Sequence, residues 1–104
     1  MERIETTAIR NLIHNEEYCR KVLPFIKEEY FTDRLEKLIF TEIYNFVNKY
    51  NNLPTKESLS IEMNTNKGIN EDEYKQITEI ISSLNPEPIN IDWLVETTEV
   101  FCKD

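Results

Sequence analysis

The chain has 104 residues and a mass of 12.5 kDa, which is the size of one small domain or of a piece of a longer protein. Its single Gly and four Pro are too few for the turns of an all-β fold, and one Gly excludes the Gly-rich loops that bind phosphate. The net charge of −8, with most of the acidic excess in residues 54–104, argues against direct binding of a nucleic-acid backbone. No uncharged apolar run is long enough to cross a membrane and the charged N-terminus lacks a signal-peptide core, so we expect a cytoplasmic protein.

The spacing of apolar residues at about 100° per residue predicts a helical chain. The first helix covers Glu2 to His14. The second begins after Asn15, whose side chain can cap its N-terminus. Pro24 ends or bends it, because proline lacks the N–H that continues a helix. Phe25 to Phe31 then forms a connector with buried aromatic side chains. The first helix is expected to bury Ile4, Ala8, Ile9, Leu12 and Ile13.

The third helix is predicted to begin at Thr32 or Asp33, with Glu36 placed to complete a capping box. Its apolar residues cover about half of its circumference, so we expect neighbours on several sides. The predicted fold class is therefore all-α, a small bundle of about six helices in which the third helix is central and the most buried. Its apolar positions are Leu35, Leu38, Ile39, Phe40, Ile43, Phe46, Val47 and Tyr50.

Two further helices are marked by residues that favour caps and turns. Thr55 can cap a short fourth helix, and Asn70 with Glu73 forms a capping box that opens a fifth helix ending at Leu84. Gly68, the only glycine, is the natural residue for a left-handed turn between them. The apolar residues are Leu59, Ile61 and Met63 in the fourth helix, and Tyr74, Ile77, Ile80, Ile81 and Leu84 in the fifth.

The last helix follows a stiff Asn85–Pro88 segment and begins between Asn90 and Asp92. Ile91 and Val95 point away from its main apolar arc, so we expect them to face outward. They are the possible protein interface of this chain, contacting another protomer or a helix that follows. The arc expected to face the core spans about 120° and comprises Trp93, Leu94, Thr97, Val100 and Phe101.

No group of residues in the sequence has the pattern of a catalytic or metal-binding site. His14 is the only histidine, and Cys19 and Cys102 lie far apart without a CxxC partner, which favours two free thiols and no metal. The paired acids fall at helix starts or on polar faces, where water solvates them. We therefore predict no catalytic, cofactor-binding or metal-binding residue. A local basic patch at Arg20–Lys21 and Lys27 leaves nucleic-acid contact open as an alternative.

Six short segments, in this order and spacing, resemble the N-terminus of replicative DNA helicases of T-even-type bacteriophages, which belong to the DnaB-like hexameric family. The resemblance covers essentially the whole chain, and none of its markers is a catalytic motif. The matching segments are Asn11–Ile13, Val22–Phe25, Glu29–Phe31, Tyr50–Pro54, Glu73–Tyr74 and Trp93–Glu99.

The resemblance implies that residues 1–104 form a single N-terminal head domain, a small helical bundle ahead of a RecA-like motor. In this family the heads associate in pairs, form a collar on the hexamer and recruit primase. The expected partners are therefore other helicase protomers and a primase-type protein, with no direct nucleic-acid binding and no membrane contact. The parent helicase would use ATP and Mg²⁺, but the motor residues are not in this chain, which would not be an enzyme itself.

A second hypothesis comes from the charge. A free-standing acidic adaptor or inhibitor would dock on a basic host replication or transcription protein, because a strongly acidic surface steers association with basic partners. The pattern of the last helix continues through Val100 and Phe101 to the end of the sequence. This favours a domain cut from a longer chain over a complete small protein.

Overall fold

A computed structural model describes residues 3–66 and 68–102. All regular structure in these ranges is helical, and no strand occurs in them. The predicted all-α bundle of six helices is therefore confirmed. The helices are α1 (Ile4–His14), α2 (Glu16–Val22), α3 (Arg34–Tyr50), α4 (Lys56–Asn64), α5 (Glu71–Ser83) and α6 (Ile91–Cys102), with a 3₁₀ turn at Glu28–Tyr30.

Side chains at the helix starts fix where several helices begin. The Asn15 side chain accepts a hydrogen bond from the backbone N–H of Tyr18 at the start of α2. At α5, the Asn70 side chain accepts from the backbone N–H of Glu73, and the Glu73 carboxylate accepts from the backbone N–H of Asn70. Both predicted caps are confirmed by these hydrogen bonds. Each cap satisfies backbone N–H groups that the helix itself leaves without a partner.

Helix α3 is central, as predicted, since it packs against α1, α4, α5 and the 3₁₀ turn. The expectation that it is also the most buried helix is wrong. In α1 every residue from Ala8 to Ile13 is buried, whereas α3 exposes Tyr44 and Tyr50 on its outer side. The difference arises because α1 is enclosed by α2, α3 and α6, which leaves it little surface in contact with water.

The predicted capping box of α3 forms only in part. The Asp33 side chain accepts from the backbone N–H of Glu36 at 3.0 Å, but the Glu36 carboxylate does not return to Asp33. It instead accepts hydrogen bonds from the Arg3 guanidinium and, at 2.8 Å, from the Thr6 hydroxyl. The hydrogen bond to Glu36, together with the negative charge of Glu36, raises the pKa of Arg3 above its ordinary value. A buried carboxylate requires such partners, and here they join the start of α1 to α3.

Gly68 does not adopt the left-handed conformation expected of it, since no glycine has a positive φ. Its backbone N–H instead donates to the Asn66 side chain at 2.7 Å, so a side-chain hydrogen bond closes this turn. The left-handed residue of the described ranges is Asn51, with φ 55° and ψ 31°, where it ends α3. Asparagine tolerates this conformation better than most residues other than glycine.

The orientation predicted for α6 is wrong. Trp93 is 54% exposed and Val100 is 66% exposed, so neither faces the core. Ile91 and Val95, expected to face outward, are half-buried and pack against the core, together with the fully buried Leu94. The helix is thus rotated by about one residue, or 100°, from the predicted orientation.

A buried hydrogen-bond chain is formed in this orientation. The Thr98 hydroxyl lies 2.7 Å from the carbonyl oxygen of Leu94, to which it donates, and 2.8 Å from the Tyr18 hydroxyl. Because the Thr98 proton is used on Leu94, Tyr18 is the donor to Thr98. Burial raises the pKa of Tyr18 to about 12. Thr98 therefore lies at the centre of the buried side of α6. The spacing of apolar residues does not predict its burial, because threonine is polar.

We expect Thr98→Val to destabilise the fold more than Tyr18→Phe. Valine leaves the buried Tyr18 hydroxyl without a partner, which costs about 1–3 kcal/mol, whereas Tyr18→Phe removes one hydrogen bond worth about 0.5–1.5 kcal/mol. Urea unfolding of both variants and of the double variant measures the difference. In the double variant, part of the Thr98→Val loss should be recovered. Equal losses in the two single variants would contradict the assigned donor direction.

Candidate protein-interaction surfaces

The histidine and the two cysteines occupy structural positions. Within residues 3–66 and 68–102 there is no group of three His, Cys, Asp or Glu side chains placed to hold a metal. The His14 Nε2 lies 2.5 Å from the Leu84 carbonyl oxygen, so His14 joins the end of α1 to the end of α5. Cys19 and Cys102 are free thiols, and burial raises the pKa of Cys19 to about 11. A thiol so hard to ionise is a poor nucleophile.

The exposed side of α6 carries both apolar and acidic residues. We call it the α6 outer face and define it as Asp92, Trp93, Glu96, Glu99 and Val100, all of which are exposed. An exposed tryptophan is unusual in a small domain and is typical of residues that anchor protein interfaces. The α6 outer face is therefore a candidate interaction surface. The sequence did not indicate it, because the helical pattern placed Trp93 on the core side.

A second candidate surface lies between α2 and α3. Two adjoining depressions of about 390 and 370 Å³ share Leu23, Pro24 and Tyr44 in their walls. We call them together the Tyr44 groove. Tyr44 is 41% exposed and lines both depressions. Arg20 lines one of them and Lys27 the other.

The basic patch suggested by the sequence is largely neutralised within α2. Arg20 and Lys21 are exposed, and each forms an ion pair one helical turn away, with Glu16 at 3.5 Å and Glu17 at 3.1 Å. A surface that contacts a nucleic-acid backbone needs several cations free to displace counterions. The patch therefore gives little support to nucleic-acid contact at this site.

Ile91 and Val95 were predicted as the interface residues of this chain. Both are half-buried and pack against the core, so each keeps only part of its surface for a neighbour. Their contact with another protomer stays a prediction. Among the described residues of this helix, the exposed ones are those of the α6 outer face.

Taken together, the fold is that of a small all-α bundle whose candidate sites are exposed helix faces and a groove between helices. The chain is similar to a DnaB-like replicative helicase of Enterobacteria phage T4, with 32% identity over 93 residues. The resemblance seen in the six sequence segments is thereby confirmed. The match covers 89% of this chain but 19% of the helicase, so the chain spans about a fifth of the length of that relative. No protein-family model matches the chain.

None of the helices in the described part of the chain combines the length and the apolar character needed to span a bilayer.

Proposed function

We propose that this chain is a non-catalytic assembly and docking domain of a phage replicative DNA helicase. The observation that carries the proposal is the similarity to the T4 helicase, which extends over 89% of this chain and only 19% of that protein. A match of this extent is expected of one domain of a larger machine. Hydrolysis of ATP with Mg²⁺ and unwinding of DNA belong to the remainder of such a protein, acting in the cytoplasm of the host cell.

The surfaces of the chain support a role in protein contacts. Trp93, Tyr44 and Tyr50 are all more than 40% exposed, and aromatic residues are enriched where proteins associate. The net charge of −8 opposes contact with the DNA backbone. We assign two contacts to this domain. The first is association with other protomers, which would involve Ile91 and Val95, and the second is docking of a primase-type protein.

The coding sequence that follows Asp104 tests the proposal directly. An open frame that encodes a Gly-rich phosphate loop followed by Lys and Ser or Thr supports a helicase, because this loop binds the nucleotide phosphates of the motor. A stop codon after Asp104 would instead support the free-standing acidic adaptor. If the motor is present, the protein lacking residues 1–104 should keep some ATPase activity but form hexamers poorly in sedimentation experiments. Normal hexamer formation by that protein would contradict the assembly role.

The 104-residue chain alone is expected to hydrolyse no ATP and to bind single-stranded DNA poorly at physiological salt. The first expectation follows from the single Gly, and the second from the net negative charge. Phosphate release and fluorescence anisotropy of a labelled oligonucleotide measure the two activities. ATP turnover above that of a mock purification would contradict the first, and micromolar, salt-sensitive DNA binding would contradict the second.

A further inference from the structure

We propose that the α6 outer face binds a basic amphipathic helix presented by a different protein. This inference rests on the proposed function, since it states the chemistry of the partner that the domain docks. The binding surface is the outer side of α6 from Asp92 to Val100. The occupant is a helix with an apolar strip beside a row of Lys or Arg.

The apolar part of this surface has the geometry of a helix-binding strip. Its apolar residues, Trp93 and Val100, are spaced i and i+7, and Thr97 at i+4 borders the face between them, so the three lie within about 60° of arc along the helix. Trp93 and Val100 are more than half exposed, while Thr97 is half-buried. The same spacing of anchors recurs where amphipathic helices pack against a helical surface. A partner helix lying along α6 would cover Trp93 and Val100 together.

The acidic part lies directly beside this strip. On a helical wheel, Asp92, Glu96 and Glu99 span about 60°, and this acidic arc lies next to Val100. The described part of α6 contains no Lys or Arg, and within the described residues none of these three carboxylates forms an ion pair. At the start of α2, by contrast, Glu16 pairs with Arg20 and Glu17 with Lys21. At the start of α5, Glu73 pairs with Arg34. As far as the described residues go, these carboxylates are therefore available to a basic partner.

The charge of the α6 outer face favours a different protein over a second copy of this chain as its partner. Two copies joined through α6 would place three carboxylates opposite three others, and like charges facing each other across an interface are unfavourable. The cations beside the Tyr44 groove offer little compensation, since Arg20 is already paired with Glu16. A nucleic acid has the same sign of charge as this face. A protein helix rich in Lys or Arg satisfies both the apolar strip and the acidic row.

A synthetic peptide tests the proposal on the 104-residue chain. The probe is a helical peptide with Leu along one face and Lys beside it, and the control peptide has Glu in place of each Lys. Trp93 is the only tryptophan, so its fluorescence reports binding at the site itself. We expect a saturable shift of its emission to shorter wavelength with the Lys peptide and none with the Glu peptide. Raising the salt from low to high concentration should weaken binding about tenfold, because exposed charges are screened.

Charge reversal on α6 provides the specific variant. Glu96→Lys with Glu99→Lys should weaken binding of the Lys peptide by about tenfold or more, because two attractive contacts become repulsive. The matched control is Glu57→Lys with Glu79→Lys, exposed acids on α4 and α5, which changes the net charge equally and should weaken binding less than about twofold. Trp93→Ala, followed with a labelled peptide, should also abolish most of the binding. Circular dichroism establishes that all variants remain folded.

Three results would overturn the inference. The first is equal binding of the two peptides, and the second is an equal loss in the α6 variant and its matched control. The third is a dimer of the free chain that dissociates in Trp93→Ala, which would assign the α6 outer face to a second copy. Failure of the proposed function is separate from these results. If no motor follows Asp104 but the Lys peptide binds as described, the helicase assignment fails while the binding surface stands, as in an acidic adaptor.

Discussion

Replacement of Ile43 by alanine is expected to lower the free energy of unfolding by about 2–5 kcal/mol, the range for removal of a large aliphatic side chain from a core. Ile43 has no exposed surface and lies in the helix that packs against α1, α4 and α5. A cavity at this position therefore has neighbours on several sides that cannot all move inward. Thermal and urea unfolding measure the loss, which corresponds to a fall in Tm of more than about 8 °C for a domain of this size.

Ile61→Ala is the matched control, because it makes the same chemical change on a helix of the same bundle. Ile61 is 65% exposed, so its truncation should change the free energy of unfolding by no more than about 0.5 kcal/mol. If Ile43→Ala and Ile61→Ala unfold at similar temperatures, the central position of α3 is wrong.

The second large effect is a loss of stability in alkali. Burial raises the pKa of Cys19 from 9.0 to about 11 and that of Tyr18 from 10.0 to about 12. Both groups are neutral in the folded state and ionise more easily when unfolded. Their contribution to stability is thus complete below pH 9 and is lost as the pH rises through 11 and 12. One pKa unit corresponds to 1.36 kcal/mol, so each group contributes about 2–3 kcal/mol to the loss.

Urea unfolding at a series of pH values between 8 and 12 measures this dependence. Cys19→Ala also removes a buried side chain, so the relevant readout is the slope of stability against pH and not its absolute value. The variant should lose the part of the slope that begins near the ordinary pKa of cysteine, while Tyr18→Phe should lose the later part. An unchanged slope in both variants would show that other groups cause the alkaline unfolding.

The features that could be predicted from the sequence depend on neighbours along the chain. Asn15, Asn70 and Glu73 act on backbone groups within three residues, so local sequence is sufficient to place these caps. The central place of α3 was predictable as well, because an apolar arc over half of a helix requires partners on several sides. The resemblance to phage helicases depended on the order of short segments, and the comparison confirmed it.

The features that could not be predicted depend on distant partners. Glu36 fits a capping box locally, but Arg3 and Thr6, at the start of α1, take its carboxylate. Thr98 counts as polar on a helical wheel, yet its bond to Tyr18 places it at the centre of the buried side of α6. With Thr98 and Leu94 on the buried side, Trp93 lies on the exposed side. The candidate binding surface was thus missed for the same reason that the orientation of α6 was wrong.

The bond between Tyr18 and Thr98 has a consequence for how the protein is made. It joins residues 80 positions apart, and α6 packs against α1 and α2. During synthesis α1 and α2 therefore leave the ribosome long before the helix that covers them. The pairs α1–α2 and α4–α5 are close in sequence and are expected to form early. Docking of α6 on α1 and α2 is expected later, because it costs the entropy of closing a long intervening segment. A nascent chain shorter than 98 residues would keep an apolar side of α1 and α2 open to chaperones and proteases.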